Sequence, residues 1–136
     1  MSDLFASVHS MTLYVADEAE ALRFYTEKLG FEKRMDVTLA PGTRWLTIGL
    51  PGQAEPEIVL HNPSGWHGEK QAAQLRELIG QAPPICLYTR DCRTTAEKLK
   101  ANGVTFMQEP AERPYGVEAV FADLYGNAIV LVEPRS

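Results

Sequence analysis

Two stretches of the chain alternate apolar and polar residues in the same manner, and each leads into the same kind of helix. In the first, SVHSMTLYV, the residues Met11, Leu13 and Val15 fall on one face of an extended strand and Ser10, Thr12 and Tyr14 on the other. Asp17 then has the position of a helix N-cap, with Glu20 three residues on as in a capping box. Ala21, Leu22, Tyr25 and Leu29 recur at helical spacing, and Gly30 ends the pattern. Short strands are expected at Glu32–Val37, Arg44–Ile48 and Glu57–His61, punctuated by Pro41-Gly42 and Pro51-Gly52. In the second stretch Ile85–Thr89 reads as a strand, Asp91 as a cap, Ala96 and Leu99 as an inward stripe and Gly103 as the stop. Strands near Thr105–Gln108, Val117–Ala122 and Ala128–Val132 follow, the last two joined by a hairpin turn at Tyr125–Asn127.

The two stretches are copies of one plan. LYVAD at Leu13–Asp17 matches LYTRD at Leu87–Asp91, and KLGF ending at Phe31 matches ANGVTF ending at Phe106. Residues 1–136 are therefore expected to form one domain of two βαβββ modules, about 7–62 and about 84–134. A short helix at about 69–80 links them, carrying Ala72, Leu75, Leu78 and Ile79 and closed by Gly80 and Pro83-Pro84. The fold class is α+β. One helix covers only one face of each small sheet, so the other face closes around a ligand, the other module or a second chain.

Composition narrows the partners. A chain of 136 residues with 45% hydrophobic and 23% charged positions is that of an ordinary globular domain. No apolar run approaches the roughly 18 residues of a membrane span. The opening MSDLFASVHS lacks the basic region of a secretory signal. A net charge of −5 without a Lys/Arg cluster argues against nucleic acid and anionic membrane. Two cysteines, Cys86 and Cys92, are too few for a disulfide framework and lack metal-site spacing, so a cytoplasmic location is the expectation.

MTLYVADEAEALRFYTEKLGFE, APGTRWLTIGLPG with EIVLH, and GVTFMQEPAERPYGVEAVFADLYGNAIVLVEP together resemble the vicinal oxygen chelate superfamily of glyoxalases, bleomycin-resistance proteins and extradiol dioxygenases. The resemblance covers nearly the whole chain and implies a curved mixed sheet around a cavity, commonly in a homodimer. It does not choose an activity, because this fold hosts lyases, dioxygenases, epimerases and non-catalytic drug binders. Metal-dependent members place His, Glu or Gln at four cavity positions. Those positions correspond here to Ser10, Val59, Pro84 and Val130. A lone hydroxyl and three side chains without donors do not suit a divalent ion. Shifting the first strand by one residue brings in His9 but leaves Pro83 or Ile85 in the second module, and His9, His61 and His67 all lie in the first half. The resemblance thus implies a small-molecule-binding protein without a metal or other cofactor. The alternative is a metal-dependent glyoxalase-like lyase or extradiol-type dioxygenase with an atypical site.

The candidate ligand-binding residues follow from strand parity. Ser10, Thr12 and Tyr14 share one face, and Tyr88 is the repeat mate of Tyr14. Glu57 and His61 flank Val59 at period two, as candidate base and as acid or anchor; strand ends in solvent are the competing reading. Val130 stands at the matching place in the second module. Arg44 either meets an anionic ligand group, with Trp45 turned away into the core, or pairs with Asp36 across a hairpin. Tyr115 lies in the loop ERPYGVE, which either closes over a ligand or is a simple turn. Cys92 follows a helix cap, a place that lowers a thiol pKa, yet Asp91 beside it opposes that effect.

Overall fold

The computed structural model describes residues 3–135. The chain divides into two compact units, residues 1–79 and 80–136. In the first, β1 (Ser10–Tyr14) leads to α1 (Glu18–Arg23), which continues as one wider π-helical turn at Phe24–Lys28. Then come β2 (Glu32–Ala40), β3 (Thr43–Gly49), β4 (Glu57–His61) and the linker helix α2 (Glu69–Arg76). The second holds β5 (Ile85–Tyr88), α3 (Cys92–Ala101), β6 (Thr105–Arg113), β7 (Gly116–Ala122) and β8 (Ala128–Pro134).

The two units have the same topology. Their sheets run β1-β4-β3-β2 and β5-β8-β7-β6. In each, the first and last strands pair in parallel and the remaining neighbours are antiparallel. The repeat extends to single hydrogen bonds. Val15 N donates to His61 O and Thr89 N to Val132 O, both at 2.9 Å, prolonging the parallel pair at the same place. Asp17 Oδ1 accepts from Glu20 N and Asp91 Oδ1 from Thr94 N, both at 3.0 Å, so each helix begins at the predicted cap.

The core of the first unit lies between α1 and one face of its sheet. Leu13, Leu46, Ile48, Ile58 and Leu60 from the strands meet Ala21 and Tyr25 from the helix, and Phe31 packs edge-on against Tyr25 at 5.5 Å. In the second unit Cys92, Ala96 and Leu99 of α3 are buried, as are Ala119, Phe121, Ile129 and Leu131 of the sheet. Truncating any of the large side chains among these to Ala costs about 2–5 kcal/mol.

The antiparallel edge strand of each sheet, β2 and β6, outruns the sequence expectation. β2 reaches Ala40 and β6 reaches Arg113, passing through Pro110. Pro110 lies where the β6–β7 register shifts between Gln108 and Ala111, on the outermost strand. A proline is tolerated there because its missing N–H removes no rung of the ladder. The linker helix is shorter than its apolar pattern suggests. It ends at Arg76, and Leu78 and Ile79 belong to the turns that follow.

Candidate functional site

The face of the first sheet turned away from α1 is set by register. Ser10 pairs with Glu57, Thr12 with Val59 and Tyr14 with His61, and Val59 pairs in turn with Thr47 of β3. Paired residues project to one side, so Ser10, Thr12, Tyr14, Glu57, Val59, His61, Thr47 and, two residues before it, Trp45 share this face. The sequence expectation grouped six of these residues together. It left Arg44 either toward a ligand, with Trp45 in the core, or paired with Asp36 across the hairpin; the structure shows the second arrangement, with Trp45 on the site face. Arg44 shares the face of buried Leu46 and Ile48. Its Nε and Nη2 donate to the two carboxylate oxygens of Asp36 at 2.8 and 2.9 Å. That hydrogen bond, ahead of its opposing desolvation, holds Asp36 below the usual carboxylate range.

Four aromatic rings meet on the outward face. Tyr14 approaches His61 edge-on at 5.8 Å, His61 approaches Trp66 at 5.5 Å, and Trp45 meets Trp66 edge-on at 6.5 Å. Such contacts contribute about 0.5–1.5 kcal/mol each beyond area burial. Trp66 and His67 come from the loop NPSGWHG after β4, which sequence reasoning passed over. The signal available was an aromatic pair in a stretch otherwise built for turns. Side chains tie the start of this loop to its neighbours. Asn62 Nδ2 donates to Ala16 O at 3.2 Å and its Oδ1 accepts from Ser64 N at 3.0 Å. Arg76 donates to Ser64 Oγ at 2.8 Å. At Gly65 a Cβ would lie 2.1 Å from Gly42 O, and φ is +96°, so only glycine lets the loop close on the β2–β3 turn.

His61 Nε2 and His67 Nε2 are 3.0 Å apart. One ring donates and the other accepts, so one nitrogen of the pair is bare. Burial first, then the neighbouring His67, push His61 below the ordinary histidine range, and Glu18 acts in the opposite direction. The indole Nε1 of Trp66 and Oε1 of Glu57 are buried without a hydrogen-bond partner in this chain. Behind the sheet, a shallow polar depression of about 480 Å³ is lined by Glu18, Thr38, Arg44, Asn62 and Ser64 among others.

In the second unit Tyr88, Val132 and Glu118 form one row across the sheet, and Cys86, Val130 and Val120 the next. Tyr88 is 77% exposed. Tyr115, in the β6–β7 turn, donates its hydroxyl to Glu118 Oε2 at 2.8 Å, which raises its pKa, and Arg113 lies 3.5 Å from Glu118 Oε1. The Tyr115 hydroxyl is thereby held within the β6–β7 hairpin. Cys92 is fully buried; burial and then the carboxylate of Glu133, which accepts from Cys92 N at 2.9 Å, raise its pKa. The helix N-terminus does not activate this thiol.

At the four positions that hold metal in metal-dependent relatives, Ser10 and Val59 stand in the first unit and Pro84 and Val130 in the second. One hydroxyl among them is the whole donor set, which does not fit a divalent ion. Among the described residues no three His, Cys, Asp or Glu side chains are grouped to hold one. No helix among them is long and apolar enough to cross a membrane.

Two units of the same βαβββ topology, each with a helix on one face of its sheet, define the fold class. The chain belongs to the Glyoxalase/Bleomycin resistance protein/Dioxygenase superfamily, which it matches over residues 7–131. It is 30% identical over 130 residues to YetH of Bacillus subtilis, covering 96% of this chain and all of that protein. The crystal structure of UcmS2 is 41% identical, covers 96% of this chain and 99% of its own, and superposes with a TM-score of 0.84. TnmS3, an antibiotic binding protein from Streptomyces sp. CB03234, is 26% identical, covers 98% of this chain and all of its own, and has a TM-score of 0.79.

Proposed function

We propose that this protein binds a planar aromatic small molecule of the antibiotic kind, without a metal and without chemistry, on the face that carries Tyr14, Trp45, His61 and Trp66. The observation that supports this most is the Trp45–Trp66–His61–Tyr14 cluster. In a T-shaped contact the ring that supplies its edge keeps its own face for a flat ligand to stack on. The bare nitrogen of the histidine pair offers a polar contact that orients a ligand in an apolar site. The antibiotic-binding relative TnmS3 is consistent with this ligand class. Ser10, Thr12, Glu57 and Val59 extend the same face, and Tyr88 and Val130 offer the matching surface of the second unit. Arg44, turned to the other face and neutralised by Asp36, is not part of the site. We infer also a homodimer acting in the cytoplasm.

The test is fluorescence titration with planar aromatics, among them the cation proflavine. The protein's two tryptophans both belong to the cluster, so binding there quenches nearly all intrinsic emission. Saturable quenching that Trp66→Ala weakens at least tenfold, about 1.4 kcal/mol, supports the reading. Binding that ignores Trp66→Ala and Trp45→Ala alike would falsify it. The enzymatic alternative predicts a stoichiometric divalent metal in the purified protein, which elemental analysis detects.

A further inference from the structure

We propose that His61 and His67 form a proton-operated latch that holds Trp66 over the aromatic site and releases it on acidification. This deepens the aromatic-site reading by naming how that site is regulated, and its effect on affinity rests on that reading.

The geometry of the pair carries the argument. The Nε2 atoms are 3.0 Å apart and the ring centroids 5.2 Å apart. That centroid distance is close to the largest the contact allows, so the two nitrogens point nearly straight at each other. A zinc ion shared along such a line would need them about 4 Å apart. A single proton is what fits. With both rings neutral, one of their two ring protons lies between the Nε2 atoms and the contact is a hydrogen bond; a third proton on the pair makes it charge-assisted. A fourth proton sets two N–H groups and two positive charges head to head. No hydrogen bond survives, and the rings must part.

What parts is decided by the attachments of each ring. His61 is the last residue of β4, paired with Tyr14 of β1, and its carbonyl accepts from Val15 N at 2.9 Å, which ties it into the sheet. His67 stands on the loop, outside the sheet, with its backbone bridged to Ser64 and Trp66 N donating to Pro63 O at 3.3 Å, just before Gly68, which caps α2 without a side-chain hydrogen bond. Glycines flank Trp66-His67 on both sides, and the indole N–H of Trp66 has no partner to hold it. His67 is therefore the ring that moves, and Trp66 moves with it. The groups that face His61 are Tyr14 from β1, Glu18 from α1, and Trp66 and His67 from the loop. Glu18 is the one anion among them, and it favours protonation against the burial that opposes it. Burial holds His61 below the ordinary histidine range, so the release is expected below the ordinary histidine midpoint.

The experiment uses the free full-length protein and its near-ultraviolet circular dichroism, to which Trp45 and Trp66 contribute as a coupled pair. Lowering the pH from about 7.5 to about 5 should remove most of the tryptophan band and raise acrylamide quenching, with far-ultraviolet dichroism unchanged. His67→Gln keeps a hydrogen-bonding amide without a titrating group. It should resemble the native protein at neutral pH and lose the pH response. His67→Ala should show the acid spectrum at both pH values. A native band that does not change with pH, or a pH response retained in full by His67→Gln, overturns the latch. Should proflavine bind at no pH, the aromatic-site reading falls while the spectra still decide the latch.

Discussion

Arg44 and Asp36 form a two-pronged ion pair across the β2–β3 hairpin, on the face of β3 opposite Trp45. Each side chain keeps a quarter to a third of its surface in water, so the pair is worth about 1 kcal/mol or less. Arg44→Met should lower stability by that amount in denaturant melts and leave proflavine affinity unchanged. The sign of its pH dependence follows from Asp36, whose pKa is lowered in the folded state. The stabilisation is whole above the unfolded carboxylate value of about 3.9 and disappears as the pH falls through the lower folded value. A large loss of ligand affinity in Arg44→Met would return Arg44 to the binding site.

Asp123 is buried at the turn before β8, and its two oxygens accept from Tyr125 N, Asn127 N and Asn127 Nδ2, each at 2.9 Å. Asn127 in turn accepts from Ala82 N at 3.0 Å, tying the linker to the turn. Asp123→Ala strands buried donors and should cost about 3 kcal/mol. A midpoint shift equivalent to less than about 1 kcal/mol would show that water replaces the carboxylate.

Cys92 is fully buried and its pKa is raised, whereas Cys86 is exposed in this chain. In Cys86→Ser the remaining thiol should react with a disulfide reagent only at the rate of unfolding, accelerating with denaturant. Fast labelling at neutral pH would contradict the burial.

Large apolar side chains stand exposed on both units, Leu39 at 63%, Met107 at 60% and Tyr88 at 77% among them. Tyr88 and Met107 also sit where an unpartnered sheet would invite association. A particle of about twice 15.1 kDa is expected in sedimentation at micromolar concentration, and Tyr88→Glu with Met107→Glu should shift it toward the single chain. A single-chain mass for the native protein would defeat the dimer.

His61 links stability to pH in the opposite way from a paired histidine. Its folded pKa is lowered, so the unfolded chain takes up the proton first. Stability should be flat above the ordinary histidine value of about 6.5 and fall below it, until the folded protein also binds the proton. His61→Phe, which keeps a ring and removes the titration, should flatten that slope in urea melts between about pH 7 and about pH 5.

The sequence by itself determined the repeat, the helix starts at Asp17 and Asp91, the helix ends at Gly30 and Gly103, and which residues of β1 and β4 share a face. These are local properties. A cap needs a backbone N–H three residues away, and strand parity needs only every second side chain. It did not decide the face of Arg44 and Trp45, because β3 is apolar on both sides: Leu46 and Ile48 alternate with Trp45 and buried Thr47. Alternation picks a face only where one side is polar. Pairing of Thr47 with Val59 made the choice, and that register exists only in the assembled sheet. Trp66 and His67 were likewise beyond reach of any period, since they lie in a loop. Their approach to His61 and Trp45 depends on Gly65 settling against Gly42, a contact between segments that only the tertiary structure brings together.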